Sequence, residues 1–182
     1  MKINVTIKGV TPLLMSKFTE DQLQPNKKTN KNITPKESAE KYAYRDENGQ
    51  LCIPGECIYA CLIEAGKFHK KGKNKVTTFK KTLITAGVEH LEGNYSLGTK
   101  DFDVDSRAAV VPATGGRIMV HRPMLKDWQI SFQLEIDPNE FSIEDIRTYM
   151  NDAGKKCGLL AYRPACKGWF GKFEIVKWEV LK

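Results

Sequence analysis

Residues 128–136 read WQISFQLEI, and the reading of this stretch decides the fold. Trp128, Ile130, Phe132, Leu134 and Ile136 alternate with Gln129, Ser131, Gln133 and Glu135. Successive side chains of a strand point to opposite faces, so the alternation predicts a strand with one wet face and one face in the core. A helix would scatter the same five apolar residues around its circumference. The period recurs at Lys2–Gly9, with Ile3, Val5 and Ile7 on one side. It recurs again at the C-terminus through Phe173, Ile175, Trp178 and Val180. There the apolar phase slips between Ile175 and Val176, which predicts a β-bulge.

Between these strands the period changes from two to 3.6. Pro54 opens the segment PGECIYACLIEAGKF, where Ile58, Cys61, Leu62 and Ala65 fall at i, i+3, i+4 and i+7 and form one apolar helical stripe. Gly66 or Gly72 is expected to end that helix. Ser142, with Asp145 three residues on, predicts a capped second helix whose buried stripe is Ile143, Ile146, Met150 and Ala153. Gly154 or Gly158 is expected to stop it. Tyr42–Arg45 and Gln50–Ile53 flank the turn DENG, and Arg107–Val111 and Arg117–His121 flank PATGG, so each pair reads as a hairpin. Val88–Leu91 reads as a short strand. The order of elements is strand, helix, two or more strands, helix, strand. That is an α+β, ferredoxin-like (RRM-like) βαββαβ core, a mostly antiparallel sheet backed by two helices. It occupies a single domain over 1–182, with long basic loop insertions at about 17–41 and 67–125.

The 182 residues suffice to bury a core without staples, and 41% hydrophobic with 28% charged residues is a globular composition. No apolar run approaches the length of a membrane span, and MKINVTIKGV lacks the apolar block of a signal peptide, so the cytoplasm is the expected compartment. The five cysteines read as reduced, buried thiols. Cys57 and Cys61 share a helix face, but a zinc site shared with Cys52, Cys157 and Cys166 would have to form without any CxxC knuckle.

Lysine and arginine number 29 against 22 acids, a formal charge of +7. The excess is concentrated: KFHKKGKNKVTTFKK, residues 67–81, holds seven lysines and no acid, among them Lys70, Lys71, Lys73 and Lys75. A patch of this kind attracts phosphate backbones through counterion release. The stretch GLLAYRPACKGWFGKFEI, residues 158–175, then sets Tyr162, Arg163, Lys167, Trp169 and Lys172 in a glycine-rich loop just before the last strand. Arg117, His121 and Arg122 lie on the central hairpin. Aromatic rings beside cations are the usual means of holding single strands. Gly158, Gly168 and Gly171 would let the backbone come close to a partner, and phosphate fits a basic surface. Trp169 taken alone is expected in the core because of its area.

Enzymatic signatures are sparse. HExxH, the P-loop, GxSxG and the Rossmann fingerprint do not occur, and no cofactor or metal is expected. Asp21 and His121 are the weak catalytic candidates for a metal- or histidine-dependent ribonuclease. Asp101, Asp103 and Asp105 in DFDVD would share a strand face, either as plain loop carboxylates or as metal ligands.

Three stretches, in this order, resemble the RAMP superfamily of RNA-binding proteins from CRISPR systems, and in particular its single-domain backbone subunits. VTIKGVTPLLMSK resembles the family's first strand and "TPL" turn. YRDENGQLCIPGECIYACLIEAGK resembles its hairpin, "IPGSS" turn and first helix, although Ile58, Tyr59 and Ile63 stand where the family continues with a lysine and an arginine. The closing stretch occupies the place of its glycine-rich loop. The resemblance implies single-stranded RNA as the ligand, with DNA possible, and head-to-tail homo-oligomers along it, with or without other effector-complex subunits. It implies a phosphate contact for the closing loop. It also implies an RNA grip from the loop after the first strand, with Lys17, Lys27, Lys28 and Lys31, and from the central insertion, with the lysine run and the Arg107–Arg122 hairpin. A phage or plasmid single-stranded DNA-binding protein, or a CRISPR antagonist on the same fold, is the alternative, and a protein-interaction module with an acidic partner is a third.

Overall fold

The computed structural model describes residues 1–18, 33–110 and 114–181. Asp21, Lys27, Lys28 and Lys31 therefore lie outside the described residues. The chain is a mixed α/β protein whose sheets are antiparallel. Its strands are β1 (Lys2–Gly9), β2 (Leu13–Leu14), β3 (Cys52–Pro54), β4 (Lys70–Lys71), β5 (Asn74–Lys75), β6 (Asn94–Ser96), β7 (Asp103–Val110), β8 (Arg117–Leu125), β9 (Gln129–Glu135) and β10 (Phe173–Val180). Its α-helices are α1 (Pro35–Glu40), α2 (Gly55–Ala65), α3 (Ile84–Gly87) and α4 (Ile143–Asp152).

The central sheet has the order β10-β1-β9. Val5 stands opposite Phe132 on one side and Trp178 on the other, and all three point into the core. The alternation in 128–136 is realised without exception: Ile130, Phe132 and Leu134 are buried, and Gln129, Ser131, Gln133 and Glu135 are exposed. Thr6 pairs with Lys177 and Ile7 with Ile175, so Val176 is the extra residue of a bulge, as the phase slip predicted. Beyond β9, Val88 forms one bridge to Ile136 in place of a full strand. The first expected hairpin is similarly reduced to a bridge between Arg45 and Leu51, and Cys52–Pro54 pairs with β6. The second is longer than expected and joins all of Asp103–Val110 to Arg117–Met124.

Both predicted helices form. The α2 stripe is buried, Ile58, Cys61, Leu62 and Ala65 included, together with Tyr59. The α-helix ends at Ala65 with Gly66 as its C-cap, as expected, and the chain then tightens into a 3₁₀ turn over Gly66–Phe68. Ser142 and Asp145 form the reciprocal capping box of α4. The helix then widens into a π-turn, Ala153–Cys157, closed by Gly158 at φ +72°. Helix α1 falls where the sequence reads as loop. Its signature was present: Thr34 and Glu37 make a second capping box with Pro35 at the first helical position. Ala39 is buried and α1 lies against β8, so this end of the insertion belongs to the body of the protein.

Arg45 fastens that region. Its guanidinium pairs with Glu40 and donates to Gly49 O at 2.7 Å and Lys100 O at 3.2 Å. Arg45→Ala is expected to cost about 1–2 kcal/mol, the range of charge-assisted hydrogen bonds reduced by partial exposure. The hydrogen bond from Arg45 holds the Glu40 carboxyl below the usual carboxylate range. A depressed folded pKa stabilises above the unfolded value, about 4.3, and the gain is lost as pH falls through the folded one. Urea melts should therefore separate wild type from Arg45→Ala at pH 7 and bring them closer together at pH 3.

Candidate nucleic-acid interface

The closing loop, residues 158–172, reaches the β7–β8 hairpin through β2. Leu13 and Leu14 pair with Leu125 and Met124 of β8. On their other side, Leu14 O accepts from Ala161 N–H at 2.9 Å and Pro12 O from Gly171 N–H at 2.8 Å. The TPLL turn is thus a strap between hairpin and loop, and two segments some forty residues apart in sequence share one surface.

That surface carries a run of stacked side chains. The Trp169 and Phe170 rings lie 4.3 Å apart and 31° from parallel. Arg107 Cζ sits 4.9 Å from the Phe170 centroid and 5.6 Å from that of Tyr162, and Arg122 Cζ lies 5.2 Å from Tyr162. The run is anchored inside by Phe170, 1% exposed, and ends outside at Trp169, 53% exposed. The core location expected for Trp169 is therefore corrected: of two adjacent aromatics the core takes Phe170, and Trp169 faces solvent. Two neighbouring bulky rings in a loop that cannot both enter the core were the signal that one would be outside.

The arginines differ in what they offer. Asp105 takes Arg107 with two bonds of 2.6 Å, so Arg107 clamps loop to hairpin while its charge is largely matched. Arg122 Nε and Nη1 are buried behind Tyr162 and have no hydrogen-bond acceptor among the described residues. Register separates the remaining hairpin candidates. Asp105 stands opposite Arg122 and Ser106 opposite His121, so His121 and Arg117 face away from Arg107 and Arg122. His121 Nδ1 is engaged with Ser106 Oγ at 2.7 Å.

Within the loop, Lys167 is exposed, Lys172 is half-buried, and Arg163 donates to Leu160 O at 2.9 Å. The close approach that the glycines permit is to the chain itself. A Cβ on Gly168 would lie 1.8 Å from Tyr162 O, and one on Gly171 would lie 2.1 Å from Leu159 O. Leu160, Tyr162 and Lys167 adopt left-handed backbone at φ +58°, +50° and +61°, so the loop is a tightly wound unit that fixes where Tyr162 points.

The lysine run sits elsewhere. Lys70–Lys71 and Asn74–Lys75 form a two-rung ribbon, with Lys73 exposed at its turn. It is tied to the helical side: Lys71 pairs with Glu140 at 2.9 Å and lies over Phe141. His69 Nε2 lies 3.0 Å from Asp152 Oδ2, off the line of a hydrogen bond, and its ring stacks on Tyr149. Among the described residues no ion pair or hydrogen bond joins this run to the Arg107–Arg122 hairpin; its Lys71 pairs with Glu140 instead. Lys17 is exposed at the end of the strap, with its N–H bonded to Tyr42 O.

The DFDVD carboxylates are distributed among cations, Asp103 to Lys126 and Asp105 to Arg107. Among the described residues no group of three or more His, Cys, Asp or Glu side chains is placed to hold a metal ion. Cys61 Sγ donates to Gly158 O at 3.1 Å, and hydrogen bonding with Cys157, aided by burial, pushes its thiol well up. No helix among the described residues is long and apolar enough to cross a membrane. No protein-family model matches the chain, and no curated protein matches its sequence.

Proposed function

We propose that this protein binds single-stranded RNA, as a non-catalytic, RAMP-like backbone subunit that assembles head-to-tail along its ligand. The observation that carries the reading is the stack running from solvent-exposed Trp169 through Phe170, Arg107 and Tyr162 to Arg122, on a chain of net charge +7. An exposed indole backed by alternating rings and guanidinium groups is a platform for a base, and Lys167 beside it suits the adjoining phosphate. The order β10-β1-β9, with Val88 at the outer edge of β9, supports the ferredoxin-like reading of the core, whose strands lie in the order 4-1-3-2. Val110, Ile118 and Met119 are exposed toward the far end of the hairpin and support a protein contact there, as head-to-tail assembly requires.

Trp169→Ala is the direct test. Its ring is outside the core, so the melting temperature should hardly move, while affinity for a fluorescent U-tract RNA should fall by about 1–3 kcal/mol. Affinity should also decline steeply with salt, with a slope of about −0.7 for each phosphate neutralised. Equal RNA affinity in wild type and Trp169→Ala would remove the platform. Preference for the matching DNA oligonucleotide would move the ligand to single-stranded DNA.

A further inference from the structure

One turn of the closing loop serves two surfaces. Tyr162 lies in the stack against the hairpin, and its neighbours Leu160, Ala161 and Arg163 form the rim of a cavity of about 270 Å³ against the outer side of α2. The wall is apolar, with Cys57, Leu160 and Ala161. Its polar lining residues are Ser16, Tyr44 and Arg163. Among the described residues Arg163 makes one hydrogen bond, from Nη1 to Leu160 O, and no hydrogen bond engages the Tyr44 or Ser16 hydroxyl. The size falls just under the range of about 300–1,000 Å³ for drug-sized ligands, so the cavity suits a single flat heterocycle rather than a longer molecule.

We infer that this cavity takes one splayed-out nucleobase with an acceptor edge, guanine in preference to adenine, from a strand that stacks on Trp169. The inference rests on the strand-binding reading for the source of the base, while the cavity's own chemistry sets its identity. A guanidinium presents parallel N–H donors that match guanine O6 and N7, and adenine sets an amino donor where guanine has O6. Both hydroxyls can add donors to the same edge. The apolar wall can cover part of a ring face, and Tyr44 and Arg163 are the planar groups in the lining, of the kinds on which unstacked RNA bases are held. Tyr162 of the stack is flanked in the chain by Ala161 and Arg163 of the cavity, so one turn of the loop carries both surfaces.

The test uses the wild-type protein with ten-nucleotide U-tracts carrying a central guanosine, inosine or adenosine, and guanosine 5′-monophosphate alone. Anisotropy gives affinity, and peptide-resolved maleimide labelling gives the reactivity of Cys57 on the cavity wall. Guanosine and inosine, which share O6 and N7, should bind about tenfold tighter than adenosine and slow Cys57 labelling. Ala60→Phe, at an exposed α2 position on the cavity mouth, should erase the base preference while U-tract binding persists. Equal affinity for all three central bases, with Cys57 labelled as in the protein alone, overturns the cavity assignment and leaves strand binding standing. Protection of Cys57 by the mononucleotide with no oligonucleotide bound keeps the guanine site and overturns the strand as its source. No binding and no protection overturns both.

Discussion

Phe132→Ala is expected to lower stability by about 3–5 kcal/mol, the cost of deleting a buried aromatic and leaving its cavity. Phe132 is 4% exposed on β9, opposite Val5 of the central strand, and its ring lies 5.7 Å from that of Tyr95 on β6. It therefore joins the central sheet to the smaller β3–β6 pair, and no single neighbour can move in to fill the space. For a chain of this length each kcal/mol is worth about 2–4 °C, so the melting temperature should fall by about 6–20 °C. Gln133→Ala, one residue away on the wet face, should stay within about 0.5 kcal/mol of wild type. A shift of less than 3 °C for Phe132→Ala would mean that β9 does not face the core as described.

Gly171→Ala should be nearly as damaging, and by a different route. Gly171 lies at φ +67°, where an L side chain is strained by about 1–2 kcal/mol. Its new Cβ would also stand 2.1 Å from Leu159 O, the carbonyl of a residue whose own N–H bonds Gly171 O at 2.9 Å. Backbone on both sides of the loop's neck must separate, and we expect a total loss of about 2–4 kcal/mol, with weaker RNA binding because Tyr162 and Trp169 lose their support. Gly49→Ala isolates the first contribution. Gly49 has a similar φ of +73° but nothing within 4 Å of the added atom, so it should cost only the conformational part. Equal losses at the two glycines in thermal melts would show that the closing loop is not tightly wound on itself.

Much of this protein was legible in its sequence because the signals are local. Alternation in 2–9, 128–136 and 173–180 set three strands, and the slip at Val176 set a bulge, since a period-two pattern can change phase only by inserting a residue. Ser142 with Asp145 set the start of α4. Thr34 with Glu37 marks α1 equally well, but the helix buries Ala39 alone, so no apolar stripe separates it from the polar, basic loop around it. The opposite directions of His121 and Arg122 were also implicit, because neighbours on a strand cannot share a face.

Tertiary structure alone decided the site. The choice of Phe170 for the core and Trp169 for solvent depends on what covers each ring, and part of the cover on Phe170 is Arg107, distant in sequence. The glycines of the closing loop announce close contact, but not with what: the backbone they approach belongs to the same loop. The lysine run is conspicuous in composition, yet Glu140 ties it to the helical side through Lys71, because ion pairs form with whatever the fold brings near. Ser16, Tyr44, Cys57 and Arg163 share no motif and come from three distant parts of the chain. A cavity between elements is a property of their packing, and local sequence carries no term for it.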